Sequence, residues 1–502
     1  MKKIERYIII LILLISYLPV HSQAGLRPRG DVDCDWKMTI NDFSAIIDSI
    51  LCHTKYHSFY NYACDINGDK RINIADAIMI IDALLGQELP PMPSYSGTMP
   101  VLFINTEGYR NIDSKEEYLH ADWWLDNMGI EGYESIGSSD NPQSMQIKGR
   151  GNHTWLSYKK KSFRIKLYSK QPLLGMHIDR HFCLLAHPDD HYAKLKNTVG
   201  FELSRRIGMA YTPDQEPVEV VLNGQYIGLY FLTEKIRIEK NRVNIEEQED
   251  EETNPALITG GWLLEIDNYS HEGLIYFRER NNGQNWYDWI WFTSHSPEDL
   301  STEQRQYIKQ FLQTVNAAIY NPCKINNEWE QYINIDSLAC FYIIAEIMDN
   351  IEAFSGSCYL YKHRGDSTKL IFGPVWDFGQ AFGRLERTDA TNFEYFVYQE
   401  CSFHTHWIEE IAKYPHFQLV VRKHWREFYK SGFNGLDIDQ FIEDFTNHIR
   451  EAIKCDAARW SRIRLDQEAA LFKNYLHSKI TWLDSKWGIN ANIDIDGQEI
   501  DP

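Results

Sequence analysis

Positive charge is what this sequence is short of: 51 Lys and Arg stand against 71 Asp and Glu over 502 residues, a formal charge of −20. Nucleic-acid backbones bind basic surfaces, so this deficit excludes nucleic acid as the expected partner. Long apolar runs are equally scarce. One, from Tyr7 to about Val20, follows Lys2, Lys3 and Arg6 and precedes Ser22-Gln23-Ala24. It is short for a bilayer span of roughly 20 residues. A positive start, a brief apolar stretch and small residues before the cut predict a secretory signal peptide over residues 1–24, and hence a secreted or cell-surface protein. No Cys stands at the cleavage position, which argues against a lipid anchor, and no later segment is long and apolar enough for a stable membrane span. Zinc-type cysteine spacing is also missing. Hydrophobic residues, by contrast, reach 43%, with 15 Trp and 29 Tyr. That content can fill a large core and argues against general disorder, and the length implies two or more domains. Nine cysteines in an exported chain leave at least one unpaired. Cys34 and Cys64 flank repeated motifs, where a bridge and two buried thiols are equally expected.

The repeat sets "DVDCDWKMTIND" (31–42) against "DINGDKRINIAD" (65–76). In register, Asp31, Asp33, Asp35, Thr39 and Asp42 match Asp65, Asn67, Asp69, Asn73 and Asp76. Oxygen side chains at loop positions 1, 3, 5, 9 and 12 are the pattern of an EF-hand calcium loop, where a tight turn folds alternate side chains around one hard cation. Position 6, normally Gly, is Trp36 in one copy and Lys70 in the other. Each loop runs into a helix-periodic apolar segment, "FSAIIDSILC" and "AIMIIDALLG". The pair resembles a dockerin over residues 29–87, a small all-α, EF-hand-like module. The resemblance implies two Ca²⁺ sites and a cohesin-domain scaffold protein as partner. A Pro-rich linker at 88–99 follows.

From residue 100 to 485, ahead of a tail at 486–502, strand-like segments give way to helices after about residue 300, which predicts an α+β domain. "VEVVLNGQYIGLYFLTEKI" places Asn223-Gly224 between two apolar runs, a hairpin signal. "AKLKNTVGFELSRRIG" reads as a helix stopped by Gly208. In "FRIKL", Phe163, Ile165 and Leu167 share one face while Arg164 and Lys166 take the other. Gly149 and Gly151 bracket Arg150 just before this basic strand, an arrangement that suits either a polyphosphate site or a surface hairpin with solvated charges. Further on, Asp349 and Glu352 end a helix, and two strand segments lead to "FGPVWDFGQAFG" around Asp377. A DFG tripeptide alone means little, since three fixed residues recur by chance.

Seven segments in order carry a more specific signal: "IKGRGNHTW", "KKKSFRIKL", "KLKNTVGFELSRRIG", "LNGQYIGLYFLTEKI", "NRVNI", "GGWLLEID" and "GPVWDFGQAFG". Together they resemble the CotH kinase family over roughly residues 100–465. That family looks like a secreted, atypical branch of the two-lobed protein-kinase fold, and the resemblance implies transfer of the ATP γ-phosphate to Ser or Thr of extracellular proteins, with Mg²⁺ or Mn²⁺. It further implies Lys166 as the phosphate-binding lysine, with Lys161 the alternative, and Glu202 as its helix partner. Arg150, Gly151, Asn152 and Glu265 would join the nucleotide site, Asp377 would hold the metal, and Glu352 or Asp349 would act as the catalytic acid. Three departures count against full activity. Glu352 stands where the family has Asp, Ser357 where a metal-binding Asn is expected, and Gly379 where a second acid follows Asp377. An inactive structural subunit of a cellulosome-like assembly is therefore the alternative. A polysaccharide-acting enzyme is a third option, although no motif singles out a catalytic carboxylate pair.

Overall fold

The computed structural model describes residues 25–51, 63–67, 71–89, 94–267, 274–280, 289–382, 393–400, 406–431, 436–460 and 463–488. The signal segment, Asp69, Lys70, Gly383 and most of the tail lie outside the described residues. The chain forms two compact units. One comprises Met1–Pro188, Glu216–Leu232 and Ile449–Arg462, and the other Asp189–Gln215, Thr233–His448 and Ile463–Pro502.

The first unit begins with the repeat. Its helices run Ile40–Ile50 and Ile74–Leu84, and both open on a capping box. Thr39 caps the first and Asn73 the second, with Asp42 and Asp76 returning to the cap backbone. Loop positions 9 and 12 therefore double as helix-start residues, each box worth about 1 kcal/mol or more. Val32, Met38, Ile46, Ile66, Ala77 and Ile80 form the small core between them. The described cysteines, Cys34 and Cys64 included, are free thiols.

A closed seven-stranded barrel completes this unit, in the order β1-β2-β3-β4-β5-β7-β6. Its strands are β1 Val101–Thr106, β2 Leu119–Asp126, β3 Gln143–Arg150, β4 Ser162–Gln171, β5 Asp179–Leu185, β6 Gln215–Leu222 and β7 Gln225–Glu234. β1 closes the barrel by pairing in parallel with β6. The period-2 pattern of β4 holds: Phe163, Ile165 and Leu167 are buried in the barrel core, and Arg164 and Lys166 are half-buried on the outer face. Asn223 and Gly224 take φ of +52° and +75° between β6 and β7, as a two-residue hairpin turn demands. A barrel was not expected from the sequence. Local periodicity shows hairpins, but closure rests on the β1–β6 pair, more than 100 residues apart.

In the second unit an antiparallel sheet of order β12-β11-β8-β10-β9 packs among helices. Its strands are β8 Trp262–Ile266, β9 Leu274–Arg278, β10 Trp289–Ser296, β11 Cys358–Lys362 and β12 Leu370–Phe372. The helix Lys196–Ile207 ends where expected, with Gly208 left-handed at φ 88° and Arg205 and Arg206 in the last turn. The helix Ile335–Ile347 is buried along Leu338–Ile347, with Glu346 the one charged residue in that stretch. The chain is thus mixed α+β. No helix among the described residues is long and apolar enough to cross a membrane.

Candidate functional site

The turn around Asp377 is held by the helix Lys196–Ile207 and the segment leading into it, all within the second unit. Asn197 Oδ1 accepts the Phe378 N–H at 2.9 Å, and Lys196 Nζ donates to the Gly379 carbonyl at 2.9 Å. Phe378 lies against Gly200 so closely that a Cβ there would fall 2.4 Å from its ring. Any side chain at position 200 would displace the turn. Phe201 packs on both Trp376 and Phe378, at centroid distances of 5.9 and 6.2 Å. From the other side Asn350 Nδ2 donates to the Asp377 carbonyl at 3.2 Å. Asp377 itself is exposed, left-handed at φ 54°, and its Oδ1 accepts the Gly379 N–H at 3.1 Å.

Sequence reasoning missed Asp189. A Cβ built on Gly379 would sit 3.0 Å from Asp377 Oδ1 and 3.5 Å from Asp189 Oδ2. Two carboxylates therefore flank the position where the family's second acid is absent. Burial, and after it the charge of Asp377, pushes the Asp189 carboxyl above its usual range. The only available signal was the pair Asp189-Asp190 just before a basic helix, too common to single out. Oxygen ligands of this kind suit Mg²⁺ or Mn²⁺, which take one or two carboxylates plus phosphate and water.

The two candidate catalytic acids have different surroundings. Asp349 is fully buried, with Lys479 Nζ 3.5 Å from its Oδ1 and the Tyr395 hydroxyl 3.2 Å from its Oδ2. Lys479 also lies 3.3 Å from Glu346 and donates to the Tyr395 carbonyl at 2.6 Å. Burial raises Glu346 to about 7 although Lys479 pulls it down. This buried triad ties the helix Ile335–Ile347 to the helix Leu465–Trp487. Replacing Lys479 with Met should cost about 3–5 kcal/mol in denaturant unfolding, because two buried carboxyls lose their counter-charge. A loss below about 1 kcal/mol would rule that role out. Glu352, in contrast, is only half-buried, next to Ser355 and Gly356. Of the two acids it is the one solvent can reach.

The nucleotide candidates divide between the units. Lys166 projects from the outer face of β4, between Gln146 on β3 and His181 on β5. Lys161 instead turns its Nζ onto the Trp155 carbonyl and ring. It helps to line a cavity of about 680 Å³ with Trp155, Tyr158, Tyr230, Arg459 and Trp460. Gly151 has φ 100°, and Asn152 accepts from Lys115 at 3.2 Å. Arg150 ends β3 opposite Ser162. In the second unit, Glu202 pairs with Arg206 at 2.7 Å and with Arg205 at 3.5 Å on its own helix. Glu265 on β8 bonds His295 Nε2 at 2.5 Å.

In the repeat, carboxylate oxygens of Asp31, Asp33 and Asp35 all lie within 4.8 Å of one another. Burial pushes Asp31 up to about 7 against the pull of Arg27. Such a cluster fits a calcium ion, whose charge would offset that burial. Asp42 and Asp76 are turned onto backbone: Asp42 Oδ1 accepts from Val32 at 2.6 Å, and Asp76 Oδ1 from Ile66 at 2.8 Å. Thr39 and Asn73 oxygens accept from the Asn41 and Ala75 N–H groups. Asp65 and Asn67 hold the equivalent places in the second loop, while Asp69 lies outside the described residues.

Comparison with known proteins agrees with both halves. The family model described as CotH kinase protein matches residues 147–483, and that of the dockerin type I domain matches residues 29–86. No curated protein matches the chain. Since the first match spans more than half of the 502 residues, the chain belongs to the CotH kinase protein family and carries a dockerin type I domain ahead of it.

Proposed function

We propose that this protein is an exported, ATP- and divalent-cation-dependent phosphotransferase, tethered to a cohesin-bearing scaffold by its dockerin domain. The single observation that carries the reading is Asp189, which supplies beside Asp377 the second carboxylate that Gly379 lacks. Bound Mg²⁺ or Mn²⁺ would neutralise phosphate charge there. Asp377 and Asp189 would hold the cation, and Asn350 and Asn197 fix the turn that presents it. The family resemblance assigns phosphate binding to Lys166. Glu352 orients the acceptor hydroxyl and takes its proton as the γ-phosphoryl passes from the ADP oxygen to the acceptor oxygen. The acceptor is a Ser or Thr hydroxyl of an extracellular protein.

Incubation of the full chain with labelled ATP and Mn²⁺ should label the protein or a generic acceptor. Asp377→Ala and Asp189→Asn should each lower transfer by at least about 10²-fold, and Lys166→Met should weaken nucleotide binding more than Lys161→Met. No transfer, together with no ATP-dependent rise in melting temperature, would sink the enzyme reading. A non-catalytic binding subunit is the second reading, favoured by Ser357 and Glu352 where the family carries Asn and Asp. ATP binding without transfer would select it.

A further inference from the structure

The first loop of the repeat is built into the barrel of its own unit. Arg27 donates its backbone N–H to the Gly224 carbonyl, at the tip of the β6–β7 hairpin, at 2.7 Å. Its guanidinium lies over the rings of Trp36 and Tyr109, 5.3 and 5.0 Å from their centroids. Its Nε is 3.3 Å from Asp31 Oδ2, with the two side chains 4% and 0% exposed. Trp36 occupies loop position 6 with φ 65°. Its N–H donates to the same Asp31 oxygen at 3.0 Å, and its indole Nε1 donates to the Tyr109 hydroxyl at 3.1 Å. A Cβ on Gly224 would fall 2.6 Å from the Trp36 ring, so the hairpin glycine admits this contact as well as the turn.

Asp31 therefore has two jobs on two oxygens. Oδ2 organises the Arg27 and Trp36 contacts with the barrel, while Oδ1 accepts the Asp35 N–H at 3.1 Å inside the loop. Without a cation the carboxylates of Asp31, Asp33 and Asp35 repel one another, which favours opening of the loop that aims Trp36. With one bound, loop and clamp are ordered together. Glycine at position 6 would bend the chain equally well, but it would carry no ring to the barrel.

We propose that calcium in the first loop locks the repeat module onto the barrel through Arg27, Trp36 and Tyr109, so that one calcium site serves the chain's own architecture. The proposal rests on the calcium-binding reading of residues 29–86. Hydrogen exchange of the full chain, read at the Arg27 amide, tests it alongside calorimetric calcium titration. In the wild type, calcium slows that amide by at least about tenfold, because local opening is suppressed. Tyr109→Ala leaves both calcium loops intact, and Trp36→Gly keeps a loop-compatible residue. Both variants bind calcium yet exchange Arg27 at a calcium-independent rate, whereas Asp65→Ala in the second loop keeps the slowing. Calcium bound by the wild type without slower exchange overturns the lock alone, and so does full slowing in Tyr109→Ala. A wild type that binds no calcium overturns the module's reading and the lock together.

Discussion

Calcium should raise the unfolding temperature of the N-terminal module, and the double substitution Asp31→Ala with Asp65→Ala should remove that rise. Ligand bound only by the folded state stabilises by about 2.7 kcal/mol per site at one hundred times its dissociation constant, an effect of the order of a small module's whole stability. The first loop shows where the energy comes from. Asp31 is buried with its carboxyl raised to about 7, near Asp33 and Asp35, so the folded loop concentrates charge that the unfolded chain would disperse. Calorimetric unfolding in EGTA and in millimolar calcium measures the difference. An Asp31→Ala, Asp65→Ala protein that still responds fully to calcium would show that other residues hold the ion. Asp42→Ala is a different experiment, because Asp42 accepts three backbone N–H groups, from Val32, Asp33 and Thr39. It should cost about 1–2 kcal/mol even without calcium, as a lost capping box does.

Gly379→Asp should make the second unit depend on a divalent cation. Its new carboxylate would start from a Cβ 3.0 Å from Asp377 Oδ1 and 3.5 Å from Asp189 Oδ2, adding a third negative group to a pair already in conflict. In EDTA the variant should lose about 1–3 kcal/mol relative to the wild type, the scale of an uncompensated polar group. Manganese should restore this, with a larger rise in melting temperature than the wild type shows. An EDTA melting curve identical to the wild type, with no response to manganese, would mean that the three carboxylates do not share a cation site. If the protein transfers phosphate, adding Glu352→Asp should raise the rate further. The change moves the proton-accepting oxygen by about one bond, and misplacement near 1 Å costs on the order of 10²-fold.

Much of this was legible in local sequence. The β4 alternation, the Asn223-Gly224 turn, the Gly208 helix stop and the paired loops each follow from rules acting over a few residues. Asp377 could be singled out because its flanking Trp376 and Phe378 and the preceding motifs come in a fixed order. Asp189 could not. It precedes Asp377 by 188 positions, and its relevance arises only because Asn197 and Gly200, a turn or two along the following helix, seat the Phe378 turn. Asp349 and Glu352 looked interchangeable as helix-end acids until Lys479, 130 residues later, proved to bury one of them in an ion triad.

Trp36 marks the same division. As a letter it was a departure from the calcium-loop pattern, and nothing nearby explained it. In the folded chain its ring meets Tyr109 and Gly224, on segments 73 and 188 residues away. Sequence by itself determined the two family segments and the type of most local elements, since propensity, capping and motif spacing are short-range. Tertiary structure alone decided which acid faces Asp377, which is neutralised by a lysine, how the barrel closes and what the first calcium loop touches. Those outcomes depend on packing between distant segments, where burial and charge pairing set the energies and no local pattern records them.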